Sequence, residues 1–154
     1  HFKRGIKKFF GNIKFDLVLY STPPITLSGV VKYIKERDNA KSYLLLKDIF
    51  PQNAVDIGML STSGSKGFLY RYFRAKEQEL YRLSDCIGCM SQANVDYVLR
   101  HNPEIPPGKV DICPNSIEVT DDRLSTEQKA ELRRKYNIPA DKTVFIYVGY
   151  GRRF

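Results

Sequence analysis

Arg82-Leu-Ser-Asp-Cys-Ile-Gly-Cys-Met-Ser91 is followed, one helix later, by Lys109-Val-Asp-Ile-Cys-Pro-Asn-Ser-Ile-Glu118. The first stretch reads as the end of a helix and a short apolar strand that stops at Ser91. Residues 92–100 then have helical spacing, 110–113 form a second short strand, and Pro114-Asn115 is a turn. Strand, helix and strand in alternation are the local pattern of a doubly wound α/β domain. In such a domain, ligands bind outside the carboxyl ends of the strands.

The pattern extends toward the amino end. Residues 16–21, Asp-Leu-Val-Leu-Tyr-Ser, form a nearly continuous apolar run, the mark of a parallel strand buried on both faces. Thr22-Pro23-Pro24 stops it, because proline cannot donate to a ladder. Residues 25–37 carry Ile25, Val30, Val31 and Ile34 at helical spacing, and Asp38-Asn39 ends the helix. A second buried strand over 42–47 stops at Asp48-Ile-Phe-Pro51. Such a β-α-β unit should be parallel and right-handed. The expected fold is therefore α/β, a Rossmann-like parallel sheet with helices on both faces.

Residues 52–66 read as irregular. Ser61-Thr-Ser-Gly-Ser-Lys-Gly67 resembles a phosphate loop only superficially, since it lacks the GxxxxGK[ST] spacing. Its serines are better read as caps for a helix over 67–83, whose apolar side would be Phe68, Leu69, Tyr72, Phe73, Leu80 and Leu83. After Glu118 the texture becomes polar. A charged helix is expected over 126–136, capped by Ser125 or Thr126, and then an apolar strand over 143–149. That strand has no place in the first sheet, so residues 120–154 read as a linker and the start of a second Rossmann-like domain, with 1–119 as the first.

The chain has 154 residues, 42% hydrophobic and 27% charged, which fits a globular protein rather than a disordered one. No apolar run approaches the ~20 residues of a membrane span, and the basic start lacks the uninterrupted apolar region of a leader. The net charge is +8, and Lys3, Arg4, Lys7, Lys8 and Lys14 stand in residues 1–14 without a single acid. Such a segment favours anionic partners. Phe2, Ile6, Phe9, Phe10 and Ile13 share one helical side there. The helix therefore either packs on the sheet or lies on a membrane surface.

Three cysteines, an odd number, argue for a reducing compartment and against a disulfide framework. Cys86-Ile-Gly-Cys89 has CxxC spacing but lies in a strand, where residues three apart point to opposite faces. Only Cys113, His1 and His101 could complete a zinc site, so buried structural thiols and no metal are expected.

Several of these stretches together resemble the family 4 glycosyltransferases, in particular the bacterial enzymes that build capsule and O-antigen sugars. Ser21-Thr-Pro-Pro24 is similar to their "ASxPP" turn, and Leu46-Lys-Asp-Ile-Phe-Pro51 to their "xxDxxP" strand end. Ser84-Asp85 with a strand ending at Ser91, and Pro114-Asn115-Ser116-Ile117-Glu118, resemble their "(A/S)D" and "PNG(V/I)(D/E)" segments, with Ser116 in place of Gly. The run from Tyr136-Asn-Ile-Pro to Val144-Phe-Ile-Tyr-Val-Gly149 is similar to the opening of their C-terminal domain.

The resemblance implies an enzyme of two domains; the cysteine count fits a cytoplasmic one, and residues 1–14 offer a peripheral contact with the inner face of the cell membrane. The enzyme would transfer a hexose from a nucleotide-sugar donor to a glycan or lipid-linked acceptor, with retention and without metal or other cofactor. The family's donor-binding Gly-rich loop and E-x₇-E motif have no counterpart in residues 1–154, so no turnover is expected of this chain alone. Its expected contribution is substrate binding through Ser21, Thr22, Asp48, Ser91 and Asn115, all at predicted strand ends. Hydroxyls, an amide and a carboxylate converging there suit a sugar. Each also has a plainer reading. Asp48 could cap a turn, Ser91 could cap its helix, Asn115 could hold a left-handed turn, and Thr22 could merely end a strand.

Other readings remain open: a non-catalytic basic module that binds an anionic membrane or nucleic acid, or an inactive remnant. For the enzyme, nucleic acid is not an expected partner. For the remnant, loss of upstream strands would expose a sheet edge, so self-association or strand swapping is expected.

Overall fold

The computed structural model describes residues 2–64, 67–118 and 123–145. The chain divides into two compact units, 1–116 and 117–154. The first begins with helix α1 (Phe2–Phe9) and strand β1 (Leu17–Thr22). A short 3-10 turn (Ile25–Leu27) leads into α2 (Ser28–Asp38), followed by β2 (Lys41–Leu46), α3 (Gln52–Asp56) and α4 (Gly67–Leu83). Strand β3 (Cys86–Cys89), helix α5 (Gln92–His101) and strand β4 (Val110–Ile112) complete it.

The fold is α/β, a Rossmann-like four-stranded sheet flanked by helices. The strands run in the order β1-β2-β3-β4, and every pair is parallel. Leu19 stands beside Tyr43, Leu44 beside Ile87 and Gly88 beside Asp111. Each crossover steps the same way, and right-handed connections then place α2, α4 and α5 on one side of the sheet. The core confirms that placement. Tyr20, Leu44, Leu46, Ile87 and Cys89 of the strands cluster with Val31 of α2, Leu80 and Tyr81 of α4, and Val95 and Val98 of α5. The alternate strand positions point the other way. There Leu17, Leu19, Lys41, Cys86 and Asp111 are exposed, and Tyr43 and Leu45 are half-buried.

Ser84-Asp85 holds the amino ends of the strands together. Lys35 Nζ donates to Asp85 Oδ2 at 2.6 Å, and the Ser42 amide and hydroxyl donate to the same oxygen at 2.8 and 2.9 Å. Ser84 Oγ bonds Tyr20 Oη at 2.6 Å and donates to the Leu80 carbonyl at 2.7 Å. Asn39 ends α2 in the left-handed conformation, φ 57°, with its N–H on the Lys35 carbonyl.

Several expectations are corrected. Residues 52–66 are not wholly irregular, because α3 forms immediately after Pro51. Phe68 and Tyr72 of α4 are exposed, and the buried side of that helix includes Glu77 instead. Glu77 is tolerated there because Tyr81 Oη donates to it at 2.7 Å and Arg74 pairs with it. Helix α1 is not buried against the sheet. It lies against α2, and none of its residues is buried. Of the cysteines only Cys89 is buried; Cys86 is exposed and Cys113 half-buried. Cys86 and Cys89 do point to opposite faces, which excludes a shared metal between them. Among the described residues no cluster of three metal-ligating side chains occurs.

In the second unit, α6 (Thr126–Lys135) starts with a capping box: Ser125 Oγ accepts from the Gln128 amide, and the Gln128 side chain accepts from the Ser125 amide. Residues 143–145 are not in a strand, and residues 146–149 of the expected strand lie outside the described residues. Among the described residues no helix is long and apolar enough to cross a membrane.

Candidate functional site

Because all four strands are parallel, their carboxyl ends lie along one rim of the sheet, and the loops that leave them carry the expected site residues. Thr22 is the last residue of β1. It is 2% exposed, and its hydroxyl reaches the Asp48 carbonyl at 3.5 Å, the outer limit of a hydrogen bond. Thr22 therefore ties the β1 end to the loop after β2 and offers no free hydroxyl. Ser21 points to the other face of β1 and is half-buried.

Asp48 is exposed, and among the described residues its carboxylate has no hydrogen bond or ion pair. It lines a cavity of about 350 Å³ with Lys47, Gln52, Asn53, Asp56, Asn94 and Tyr97. Three elements build this hollow: the loop after β2, the helix α3 that Pro51 starts, and the first turns of α5.

Ser91 shapes the α5 side of the cavity. It is the N-cap of α5, in extended conformation, and its hydroxyl accepts from the Asn94 amide at 3.3 Å. The same hydroxyl donates to Asn94 Oδ1 at 2.9 Å, which orients the Asn94 side chain beside the cavity. Ser91 thus acts through Asn94. Asn115 follows β4, is exposed, and lies outside the cavity lining. It does not adopt a left-handed turn: among the described residues the non-glycine positive φ angles are at Asn39 and Asn137.

Three further cavity residues carry chemistry that sequence spacing does not reveal. Asn53 Oδ1 is buried without a hydrogen-bond partner, an unusual state for a buried acceptor. Asp56 accepts from Gln52 Nε2 at 2.8 Å. Tyr97 stacks on His101, with ring centroids 3.9 Å apart, and burial pushes its hydroxyl pKa up. The available signal was weak: Asn53 and Asp56 lie one turn apart in a segment too short for a helical pattern to stand out.

A larger hollow of about 810 Å³ lies on α6 and the turn after it, lined by Lys129, Arg133, Arg134 and Ile138 among others. It is far from any strand end in sequence, and its helix has no buried residue. Its form is that of an uncovered helix side, whereas the cavity at Asp48 has convergent polar groups on a rigid frame.

Of the serines expected to cap α4, Ser61 and Ser63 bond each other, with Ser61 Oγ donating to the Ser63 carbonyl at 3.1 Å, and Ser65 lies outside the described residues.

No family model, curated protein or solved structure matches this chain. The likeness to family 4 glycosyltransferases therefore rests on the motifs themselves.

Proposed function

We propose that this chain is the acceptor-side part of a glycosyltransferase that uses a nucleotide sugar, and that the cavity at Asp48 receives a hydroxyl-rich acceptor. The observation that carries the reading is the unpaired Asp48 carboxylate in a hollow of amides and an aromatic ring at the strand ends. A sugar is recognised by many directional hydrogen bonds plus one apolar face. Asp48 offers an acceptor, Asn94 and Gln52 offer amides, and Tyr97 offers a ring.

In the transfer, the acceptor oxygen bonds to the anomeric carbon, the bond from that carbon to the diphosphate breaks, and the acceptor proton leaves with the diphosphate. Asp48 accepts a hydrogen bond from an acceptor hydroxyl and orients it. The charge on the departing diphosphate is stabilised by groups outside this unit.

The test is ligand-observed NMR on the full chain with methyl hexosides and UDP-glucose as probes. A methyl hexoside is expected to bind weakly, and Asp48→Ala to reduce that binding by about tenfold, the worth of one charge-assisted hydrogen bond. If no hexoside binds, or if Asp48→Ala leaves binding unchanged, the reading fails.

A further inference from the structure

Helix α1 presents the reverse of what a helix packed on its own domain should. Lys3 Nζ lies 4.8 Å and Lys7 Nζ 5.3 Å from the centroid of the Tyr33 ring of α2, so these two lysines face the protein. The apolar side is turned outward. Phe2 is 68% and Phe9 69% exposed, and Phe10 and Ile13 are also exposed. Phe2, Gly5, Ile6, Phe9 and Phe10 line a shallow apolar groove of about 380 Å³.

The helix is held in that orientation. The Arg37 guanidinium donates to the Phe10 carbonyl at 3.2 Å and to the Ile13 carbonyl at 2.8 Å. It also pairs with Asp38, which accepts from the Phe15 amide at 3.2 Å. An eight-residue helix is marginal alone in water. Here Arg37 anchors the turn that follows the helix, so the outward side is held before any partner arrives, which lowers the ordering cost of binding.

We propose that α1 docks this protein on an anionic lipid surface. Phe2, Ile6, Phe9 and Phe10 enter the boundary between headgroups and acyl chains, and Arg4, Lys8 and Lys14 meet the phosphates. Charge complementarity selects this occupant. Lys3 and Lys7 face α2, but Arg4, Lys8 and Lys14 are exposed and residues 1–14 hold no acid, so positive charge flanks the outward apolar surface. An uncharged protein surface would leave those cations unmatched, whereas a negative bilayer satisfies both features at once. Long lysine and arginine side chains keep their charged ends at headgroup level while their stems lie on the apolar boundary. This inference does not depend on sugar transfer.

The test is flotation of the full chain with phosphatidylcholine vesicles, with and without phosphatidylglycerol. Binding is expected only with phosphatidylglycerol, is weakened by high salt, and persists in excess inorganic phosphate. Phe2→Ser with Phe9→Ser is expected to lower partitioning at least tenfold. Both side chains are exposed, so an unchanged thermal midpoint and circular dichroism spectrum should accompany the loss. A separate variant with Gln at positions 4, 8 and 14 is expected to lose the preference for phosphatidylglycerol. The proposal is overturned if anionic vesicles do not retain the chain or if the phenylalanine variant floats like the parent. It is also overturned if sedimentation shows a dimer that the same variant dissociates while vesicles bind neither.

Discussion

Asp85 is the residue on which the amino ends of two strands and a helix converge. Burial alone would raise its pKa, but Lys35 and both the side chain and backbone of Ser42 hold it at about 2. A carboxyl depressed in the folded state stabilises the fold in full above its unfolded value, near 3.9. That contribution is lost as pH falls through about 2. Acid unfolding followed by circular dichroism should therefore steepen below pH ~4 in the parent. Asp85→Asn should lose about 1–2 kcal/mol at pH 7 and show a shallower acid limb. Equal acid limbs in the two proteins would remove Asp85 from the account. Gly88 gives a second prediction at this scale. A Cβ there would meet Tyr43 Oη at 2.5 Å and Cys113 Cβ at 2.6 Å. Gly88→Ala should cost about 1–3 kcal/mol in urea unfolding, and Tyr43→Ala added to it should recover part of that loss.

Between elements, a buried polar network ties α4 to α5. Arg74 donates to Asn102 Oδ1 at 2.7 Å and to the His101 carbonyl at 2.8 Å, while Tyr81 donates to Glu77. Burial pushes the Glu77 carboxyl up, against the lowering by Tyr81 and Arg74. Tyr81→Phe should destabilise by about 1–3 kcal/mol, because it leaves a buried carboxylate short of a donor. A change below the error of denaturant titration would mean that another donor serves Glu77. The parallel strands and the helix 67–83 are legible in the sequence because apolar runs stopped by Pro or Asp, and a long periodic segment, are strong local signals. The side of α4 that faces the core is not legible, because a glutamate becomes a core residue only when tertiary partners satisfy it. Asp48 could be found from its place just past an apolar strand. Asn53, Asp56 and Tyr97 could not, since only packing brings α3 and α5 to the same hollow.

In the first unit the helices α2, α4 and α5 pack on one face of the sheet, where the sequence suggested both, and the apolar side of α1 points outward. Strand β1 carries exposed Leu17 and Leu19 on its open face and pairs only with β2 among the described residues. An edge without a charge or proline in its central residues invites pairing with another copy. Leu19→Lys should lower light scattering at high protein concentration while changing stability by less than about 0.5 kcal/mol. The central claim, however, concerns the rim at the strand ends. Backbone amide shift mapping of the full chain during titration with a methyl hexoside tests it most directly. The account predicts shifts concentrated at residues 47–56 and 93–97, absent in Asp48→Ala. Shifts confined to other parts of the chain, or none at saturating sugar, would contradict it.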